Sequence, residues 1–317
     1  MKAYSIFDDF TPEAARLFAD AGIPLTVHPA GVPRPDREEM KRILEDCDCV
    51  VIGTSQKLTE DMFEGIDSPR VIATASVGVD HIRVPAAKRP LVTVVNTPEA
   101  NALSVAEYTV GCALSCAKRL AEGCALYREG RNNKALFRKP VDLAGRTMGV
   151  VGAGRVSVRV MEYARMLGMR VLCWTRNPAA HGAIADAGVS FVPLDALAAE
   201  ADVISVNLPN KPDTRGIIST ELVARMKDSA VFISVSRLET VDAGALFDKA
   251  RRNPGFYVCL DIDVDENIVR ALPEEPNVLV TPHIAGGTAE ARARMFREAA
   301  EGAVRALARI AGCKETE

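Results

Sequence analysis

The chain has 317 residues, 48% of them hydrophobic, and a formal net charge of −3 at pH 7. This length predicts two domains with real cores, and the small charge gives no reason to expect a nucleic acid or an acidic membrane as a partner. No apolar run reaches the roughly 20 residues that span a bilayer, and the N-terminal stretch carries acids where a signal peptide is apolar, so we expect a cytoplasmic protein.

Residues 1–98 alternate short apolar runs with helical patterns, which is typical of a parallel sheet covered on both faces. The expected strands are Ala3–Phe7, Leu25–His28, Cys49–Ile52, Val71–Ala75 and Val92–Asn96, and the expected helices are Pro12–Ala21 and Asp36–Glu45. The turn Ser76–Ile82 follows one of these strands. Its glycine exposes backbone N–H groups at the carboxyl edge, where α/β proteins bind small anions, although an ordinary tight turn is the alternative.

A long helical pattern runs from Ala102 to about Arg128 and predicts one helix between the two domains, followed by a polar loop over residues 129–142. The segment Thr147–Asn177 then has the pattern of a strand, a turn, a helix and a second strand. Its turn contains Gly152 and Gly154, and in this setting two such glycines indicate dinucleotide binding rather than a purely structural turn.

Each feature of that turn has a physical use. Gly152 allows the tight turn, Gly154 lets the backbone approach a pyrophosphate, and the helix beginning near Arg155 offers unpaired N–H groups to phosphates. The third glycine of such fingerprints is replaced by Ser157, which predicts a slightly wider spacing between helix and strand.

The end of the second strand bears on which dinucleotide is bound. It reads Trp174, Thr175, Arg176 and Asn177, without the carboxylate that accepts from the ribose of NAD. Thr175 and Arg176 suit the 2′-phosphate of NADP, so NADP(H) is favoured. If Arg176 is a solvated loop residue, NAD(H) remains possible.

Four later apolar runs end in polar residues, which predicts that these residues share one sheet edge: Asp202–Val206, Ala230–Val235, Phe256–Leu260 and Val278–Val280. A helical pattern over Thr288–Ile310 follows. The eight cysteines include Cys112 and Cys116, which lie one helical turn apart but have no histidine close in sequence. Buried, reduced thiols are therefore expected and no metal site is.

Six segments in this order resemble the D-isomer-specific 2-hydroxyacid dehydrogenases over nearly the whole chain: Ser76–Ile82, Asn96–Glu107, Gly152–Val156, Ser236–Asp242, Leu260–Glu266 and Thr281–Gly286. The resemblance implies an α/β fold with two doubly wound parallel-sheet domains, in which a Rossmann nucleotide domain (100–286) is inserted into a flavodoxin-like substrate domain (1–99 plus 287–317). It also implies a homodimer.

The family's catalytic trio maps onto Arg237, Glu266 and His283. Arg237 offers a planar fork for a carboxylate and a carbonyl, and His283 can donate a proton near neutral pH. Glu266 would hydrogen-bond the other ring nitrogen and keep the imidazole protonated. Asp263 and Asp265 are near rivals of Glu266, because the family usually has proline where this chain has Asn267.

The resemblance also assigns binding residues. The Val77 and Gly78 amides would hold the substrate carboxylate, and Asp261 would meet the nicotinamide amide. Leu238 replaces a usual glycine, which would crowd cofactor or substrate. The remaining positions expected at the cofactor are Val156, Leu208, Pro209, Val235, Ser236 and His283.

The expected activity is NAD(P)-dependent reduction of a small 2-keto acid to its D-2-hydroxy acid, most similar to glyoxylate and hydroxypyruvate reductases. Relatives acting on phosphoglycerate often have arginine where Gly53 stands, although Lys57 keeps that alternative open. A corepressor-like, dinucleotide-sensing scaffold ranks low, because nothing here resembles added interaction tails. Formate dehydrogenases have glutamine at the position of Glu266.

Overall fold

The computed structural model of the chain describes residues 1–131, 140–263, 265–272 and 275–312. The chain divides into two compact units: unit 1 comprises Met1–Asn101 and Thr288–Glu317, and unit 2 comprises Ala102–Gly287. Most of the loop expected at 129–142, and Cys313, lie outside the described residues. No described helix has the length and apolarity needed to cross a bilayer.

All paired strands in both units run parallel, as the alternation of strands and helices predicts. The strands are β1 Ala3–Ser5, β2 Leu25–Val27, β3 Cys49–Ile52, β4 Val71–Thr74, β5 Thr93–Val95, β6 Thr147–Val151, β7 Arg170–Trp174, β8 Ser190–Phe191, β9 Val203–Val206, β10 Val231–Ser234, β11 Tyr257–Asp261 and β12 Val278–Thr281.

The described α-helices cover these sheets. They are α1 Pro12–Asp20, α2 Arg37–Asp46, α3 Ala102–Lys118, α4 Leu120–Arg128, α5 Arg155–Met166, α6 Gly182–Asp186, α7 Leu194–Glu200, α8 Thr220–Arg225, α9 Ala243–Arg252, α10 Glu266–Ala271 and α11 Ala289–Gly312.

Unit 1 has the strand order β2-β1-β3-β4-β5, which is the flavodoxin-like order. Helix α11 packs against this sheet although it follows unit 2 in the chain. Phe296 of α11 contacts the ring of Phe7 with centroids 4.8 Å apart. At Gly302 a Cβ atom would lie 2.3 Å from Val95 Cγ1, so glycine lets helix and strand approach closely.

Unit 2 has the order β12-β11-β10-β9-β6-β7-β8. If β6 is numbered as the first strand of this sheet, the order is that of the Rossmann fold with one added strand, β12. The two doubly wound sheets predicted from the sequence are confirmed. Two apolar clusters fill the faces of the sheet, one including Leu246 of α9 and the other Met161 of α5. The strand order reverses between β6 and β9, where open α/β sheets bind ligands beyond the carboxyl ends of their strands.

The single helix expected from Ala102 to about Arg128 is wrong. Arg119 adopts a left-handed backbone (φ 54°) and separates α3 from α4. Its guanidinium donates to Glu122 Oε2 at 3.2 Å and to the Tyr257 hydroxyl, which in turn donates to the same carboxylate at 2.8 Å. This polar cluster on the end of β11 stabilises the break.

Candidate active site

The glycine turn of unit 2 leaves room for a ligand at the reversal between β6 and β9. Gly152 has φ +107°, and a Cβ atom there would lie 2.8 Å from the Asn207 carbonyl oxygen. Gly154 caps α5 with nothing within 4 Å of its Cβ position. Asn207 Oδ1 and Ser157 Oγ are buried and find no hydrogen-bond partner in the part of the chain that the structure describes. The open space at the glycine turn and the unpaired Asn207 Oδ1 acceptor beside it fit a bound dinucleotide.

The cation expected beside the adenosine ribose already has a carboxylate partner. Thr175 is half-buried, whereas Arg176 and Asn177 are exposed. The Arg176 guanidinium forms an ion pair with Asp213, which lies in the loop beyond β9. Sequence reasoning did not find Asp213, since no spacing in the chain links it to the end of β7.

The other positions expected at the cofactor lie at the carboxyl ends of β6, β9 and β10: Arg155, Val156, Leu208, Pro209, Val235 and Ser236. Ser236 is buried and joins two of these strand ends. Its Oγ accepts from the Leu208 backbone N–H at 2.7 Å and donates to the Val206 carbonyl at 3.0 Å. The turns after β9 and β10 are thereby held in register.

Three charged or titratable side chains contact one another beyond β10, β11 and β12. The His283 Nδ1–H group donates to Asp263 Oδ1 at 2.7 Å, because a carboxylate oxygen can only accept. Arg237 donates to Asp263 Oδ2 at 3.2 Å and also lies 3.2 Å from His283 Nδ1. His283 Nε2 has no partner among the described side chains, so this nitrogen is available for a reacting group.

Glu266 does not make the contact with His283 that was expected of it. It begins α10, its side chain is 83% exposed, and it accepts from Arg270 at 3.0 Å. The physical reason is the helix cap: Asp265 Oδ1 accepts from the backbone N–H groups of Asn267 and Ile268, which starts the helix at Glu266 and turns its side chain towards Arg270. Asp263 takes the place beside the imidazole.

Asp261 holds the loop that carries His283. Its carboxylate accepts from Thr281 Oγ1 at 2.6 Å and from the backbone N–H groups of Ile284 and Ala285, each at 2.8 Å. His283 itself has a left-handed backbone (φ 53°), which is a strained conformation for a residue with a side chain. Asp261 is only 3% exposed, and these contacts make it a positioning residue for His283. Its contact with the nicotinamide amide stays a prediction.

Two side chains hold the backbone carbonyl groups of the turn in unit 1. Ser76 Oγ donates to the Gly78 carbonyl at 2.7 Å, and Asn96 Nδ2 donates to the Val77 carbonyl at 2.7 Å. The Val77 and Gly78 N–H groups donate to no acceptor among the described residues. Thr74 Oγ1 lies 2.8 Å from Ser76 Oγ and forms a hydrogen bond with it.

Comparison with known proteins agrees with this geometry. A family model for the D-isomer specific 2-hydroxyacid dehydrogenase NAD-binding domain matches residues 110–285. The chain is 35% identical over 271 residues to a hydroxypyruvate reductase of Thermotoga maritima, covering 84% of this chain and 87% of that protein. It is 33% identical over 262 residues to a D-3-phosphoglycerate dehydrogenase of Methanocaldococcus jannaschii, covering 81% of this chain but 49% of that longer protein.

Among solved structures, the TT0316 protein from Thermus thermophilus superposes with a TM-score of 0.82 at 28% identity, and the match covers 97% of both chains. The matched family model covers more than half of the chain. The chain therefore belongs to the D-isomer specific 2-hydroxyacid dehydrogenases, oxidoreductases that interconvert 2-keto acids and D-2-hydroxy acids with a nicotinamide dinucleotide.

Proposed function

We propose that this chain reduces small, unphosphorylated 2-keto acids, with hydroxypyruvate and glyoxylate as substrates and NADPH as the favoured cofactor. The contact of Asp263 with both His283 and Arg237 carries the proposal, because it assembles a proton donor, a carboxylate and a cation at one sheet edge. Similarity to a hydroxypyruvate reductase over 84% of this chain supports the substrate class.

The chain's own residues supply binding and proton transfer. A bound reduced nicotinamide supplies the hydride. Arg237 presents a guanidinium fork to the keto acid, which favours the carboxylate and polarises the carbonyl. His283 Nε2 delivers a proton to the oxygen that gains negative charge at C2, and Asp263 keeps Nδ1 protonated and the ring oriented.

NADPH preference is supported by the end of β7. Thr175 and Arg176 offer a hydroxyl and a cation, and the strand end has no carboxylate to repel a phosphate. Asp213 opposes this preference, because its carboxylate neutralises Arg176 and would face the same phosphate. We propose that Arg176 exchanges Asp213 for the 2′-phosphate when NADPH binds.

The preference for an unphosphorylated substrate is supported by Gly53. A Cβ atom at this position would lie 2.9 Å from Phe7 Cζ, so the ring of Phe7 fills the space into which a longer side chain would project. A dianionic phosphate would therefore lack a cation at residue 53. For unit 1 we also propose that the N–H groups of Val77 and Gly78 bind a carboxylate.

Three further assignments belong to the same proposal. Unit 1 acts as the substrate domain and unit 2 as the nucleotide domain, the protein is a homodimer, and it works in the cytoplasm. Analytical ultracentrifugation at several protein concentrations tests the dimer, since a single species of monomer mass would exclude it.

The deciding experiment compares kcat/KM for hydroxypyruvate, glyoxylate and 3-phosphohydroxypyruvate, each with NADPH and with NADH. We expect both unphosphorylated acids to exceed the phosphorylated one with NADPH. A higher value for 3-phosphohydroxypyruvate would favour a phosphoglycerate dehydrogenase that holds the phosphate through Lys57. Cofactor binding without oxidation of NADPH by any 2-keto acid would favour a dinucleotide-sensing scaffold.

A further inference from the structure

Three cysteine thiols meet between α3 and β11 in unit 2. Cys112 and Cys116 lie one turn apart on α3, and both face Cys259 of β11. The Sγ atoms of Cys116 and Cys259 are 3.4 Å apart, and the Cys112 thiol hydrogen-bonds both Cys259 and the Tyr108 hydroxyl. Cys116 and Cys259 are 3% and 1% exposed, whereas Cys112 is only half-buried. The cluster thus leads from the interior towards solvent.

Cys112 and Cys259 differ in acidity in a way that suits nucleophilic chemistry. The hydrogen bond with Cys259 lowers the pKa of the Cys112 thiol despite its partial burial. The same contact with Cys112, together with burial, raises the pKa of Cys259. By contrast, burial alone raises the pKa of Cys173 to about 12. The thiol that ionises more readily is also the one that reagents can reach.

Among the described residues, no three or more His, Cys, Asp or Glu side chains are arranged so that they could hold a metal ion. The sulfur atoms are instead close enough for covalent chemistry. Cys116 and Cys259 would need to approach by about 1.4 Å to reach the disulfide bond length of about 2.0 Å. Cys112 also forms a hydrogen bond with Cys259, so Cys259 can pair with either cysteine of α3.

We propose that Cys112, Cys116 and Cys259 form a reversible oxidation site for hydroperoxides. The Cys112 thiolate attacks a peroxide oxygen, the O–O bond breaks, and Cys112 becomes a sulfenic acid while hydroxide takes up a proton as water. Cys259 sulfur then attacks Cys112 sulfur, forming a disulfide and releasing a second water. Two thiols are oxidised by two electrons, and one hydrogen peroxide is reduced to two waters.

Cys116 extends the site by exchange. Its sulfur can attack Cys259 in the first disulfide, which moves the bond to Cys116–Cys259 and frees Cys112 as a thiol. Both products join α3 to β11, and both are reversed by a dithiol reductant. Reduced thiols are the resting state in a reducing compartment.

A chain of hydrogen bonds links this site to the loop of His283. The Tyr108 hydroxyl, which contacts Cys112, donates to Thr281 Oγ1 at 2.6 Å, and Thr281 donates to Asp261 at 2.6 Å. Asp261 in turn holds the loop through two backbone N–H groups. Pulling Cys112 towards Cys259 removes the thiol contact of Tyr108. We expect the loop to shift and turnover to fall, a consequence that rests on the proposed function.

The chemistry can be tested without measuring activity. The protein is treated with hydrogen peroxide, its free thiols are counted with a thiol reagent after denaturation, and disulfides are mapped by mass spectrometry of non-reduced peptides. We expect two of the eight thiols to be lost, a cross-linked peptide joining α3 to β11, and full recovery with dithiothreitol. Cys259→Ser and Cys112→Ser should each abolish the Cys112–Cys259 peptide.

Cys124→Ser is the matched control, because Cys124 is an exposed thiol on α4 and its loss should leave the cross-link unchanged. Oxidation of other cysteines without a cross-linked α3–β11 peptide would overturn the proposal. It would also be overturned if Cys112→Ser formed an α3–β11 cross-link in the same amount and at the same rate as the wild type. If Cys259→Ser does not fold, Cys112→Ser still provides the test, because Cys112 is only half-buried.

Activity gives the second readout. Turnover with hydroxypyruvate should fall by about tenfold to a hundredfold on oxidation of the wild type and recover with dithiothreitol. It should resist peroxide in Cys259→Ser. A disulfide that forms without a loss of turnover would retain the oxidation site and overturn its link to the loop. If no 2-keto acid is reduced before oxidation, the proposed function fails while the peptide map still decides the thiol chemistry.

Discussion

Asp263 and His283 are joined by a 2.7 Å hydrogen bond, in which the imidazole Nδ1–H donates to the carboxylate. We predict that Asp263→Asn lowers kcat by about 10²-fold or more, because an amide can present the wrong group to Nδ1 and fails to stabilise the imidazolium. Cofactor affinity should change little. Steady-state kinetics with NADPH fluorescence titration measures both.

The matched control is Glu266→Gln, which removes the same charge from an exposed helix residue paired with Arg270. It should keep kcat near the wild-type value. If Glu266→Gln is the damaging change and Asp263→Asn is not, the carboxylate at residue 266 acts in the working enzyme and the assignment of Asp263 is wrong.

His283→Ala should lower kcat by roughly 10²–10⁴-fold, the usual contribution of a general acid. Because His283 contacts Asp263 and Arg237 but packs into neither apolar cluster of unit 2, thermal stability and NADPH binding should stay near wild type. Equal losses of turnover and cofactor affinity would instead indicate a structural histidine.

Asp213→Asn should increase the preference for NADPH over NADH. The change removes a negative charge that pairs with Arg176 and would repel the 2′-phosphate. We expect a gain of about fivefold in NADPH affinity, equivalent to roughly 1 kcal/mol between exposed charges. Asp195→Asn, which disrupts the exposed Arg225 pair, is the control and should leave the ratio unchanged. A fall in NADPH affinity for Asp213→Asn would remove Arg176 from the cofactor site.

Gly302→Ala should destabilise unit 1 by about 1–3 kcal/mol, because the added methyl group would meet Val95 at 2.3 Å. Urea unfolding measures the change. Gly111→Ala on α3 is the control: nothing lies within 4 Å of its Cβ position, so it should be neutral or slightly stabilising. The double variant with Val95→Ala should recover stability, and failure to do so would mean that the cost arises elsewhere.

Asp9 and Arg292 form a two-bonded pair in unit 1, with nitrogen–oxygen distances of 2.5 and 2.6 Å. The hydrogen bond from Arg292 lowers the pKa of the Asp9 carboxyl. The pair therefore stabilises the fold above the unfolded pKa of about 3.9, and this contribution is lost as pH falls through the lower, folded pKa.

Asp9→Asn should accordingly lower stability by about 0.2–1 kcal/mol near neutral pH, as for a solvent-exposed pair. The difference from wild type should shrink as the pH is lowered past the folded pKa. Urea unfolding of both proteins over an acidic series gives the result, and a difference that grows towards low pH would contradict the expected direction.

Much of the fold follows from local sequence patterns. Short apolar runs ending in glycine or polar residues predict the strands, and Gly152 predicts the turn into α5, because positive φ and close approach both require glycine there. The break at Arg119 could not be predicted this way. It depends on Tyr257, a residue distant in sequence that β11 brings to the end of α3.

The candidate active site also combines residues that local sequence patterns predict with residues that they do not. Arg237 and His283 stand out because each lies within three residues of the end of a strand, and parallel strands bring their carboxyl ends together. The choice between Asp263 and Glu266 depends on where α10 begins, which the Asp265 cap decides. The pairs Asp213–Arg176 and Cys259–Cys116 each join residues that are distant in sequence. Spacing along the chain therefore carries no signal for either contact.

The place of α11 has a consequence for biosynthesis. Residues Ala102–Gly287 of unit 2 form one continuous stretch, whereas the core of unit 1 includes Phe296 and Leu307 of α11. As the chain leaves the ribosome, unit 2 can complete its core before unit 1 can. The sheet formed by the first hundred or so residues keeps an apolar face uncovered throughout that interval, so a chaperone that shields exposed apolar surface would act on unit 1.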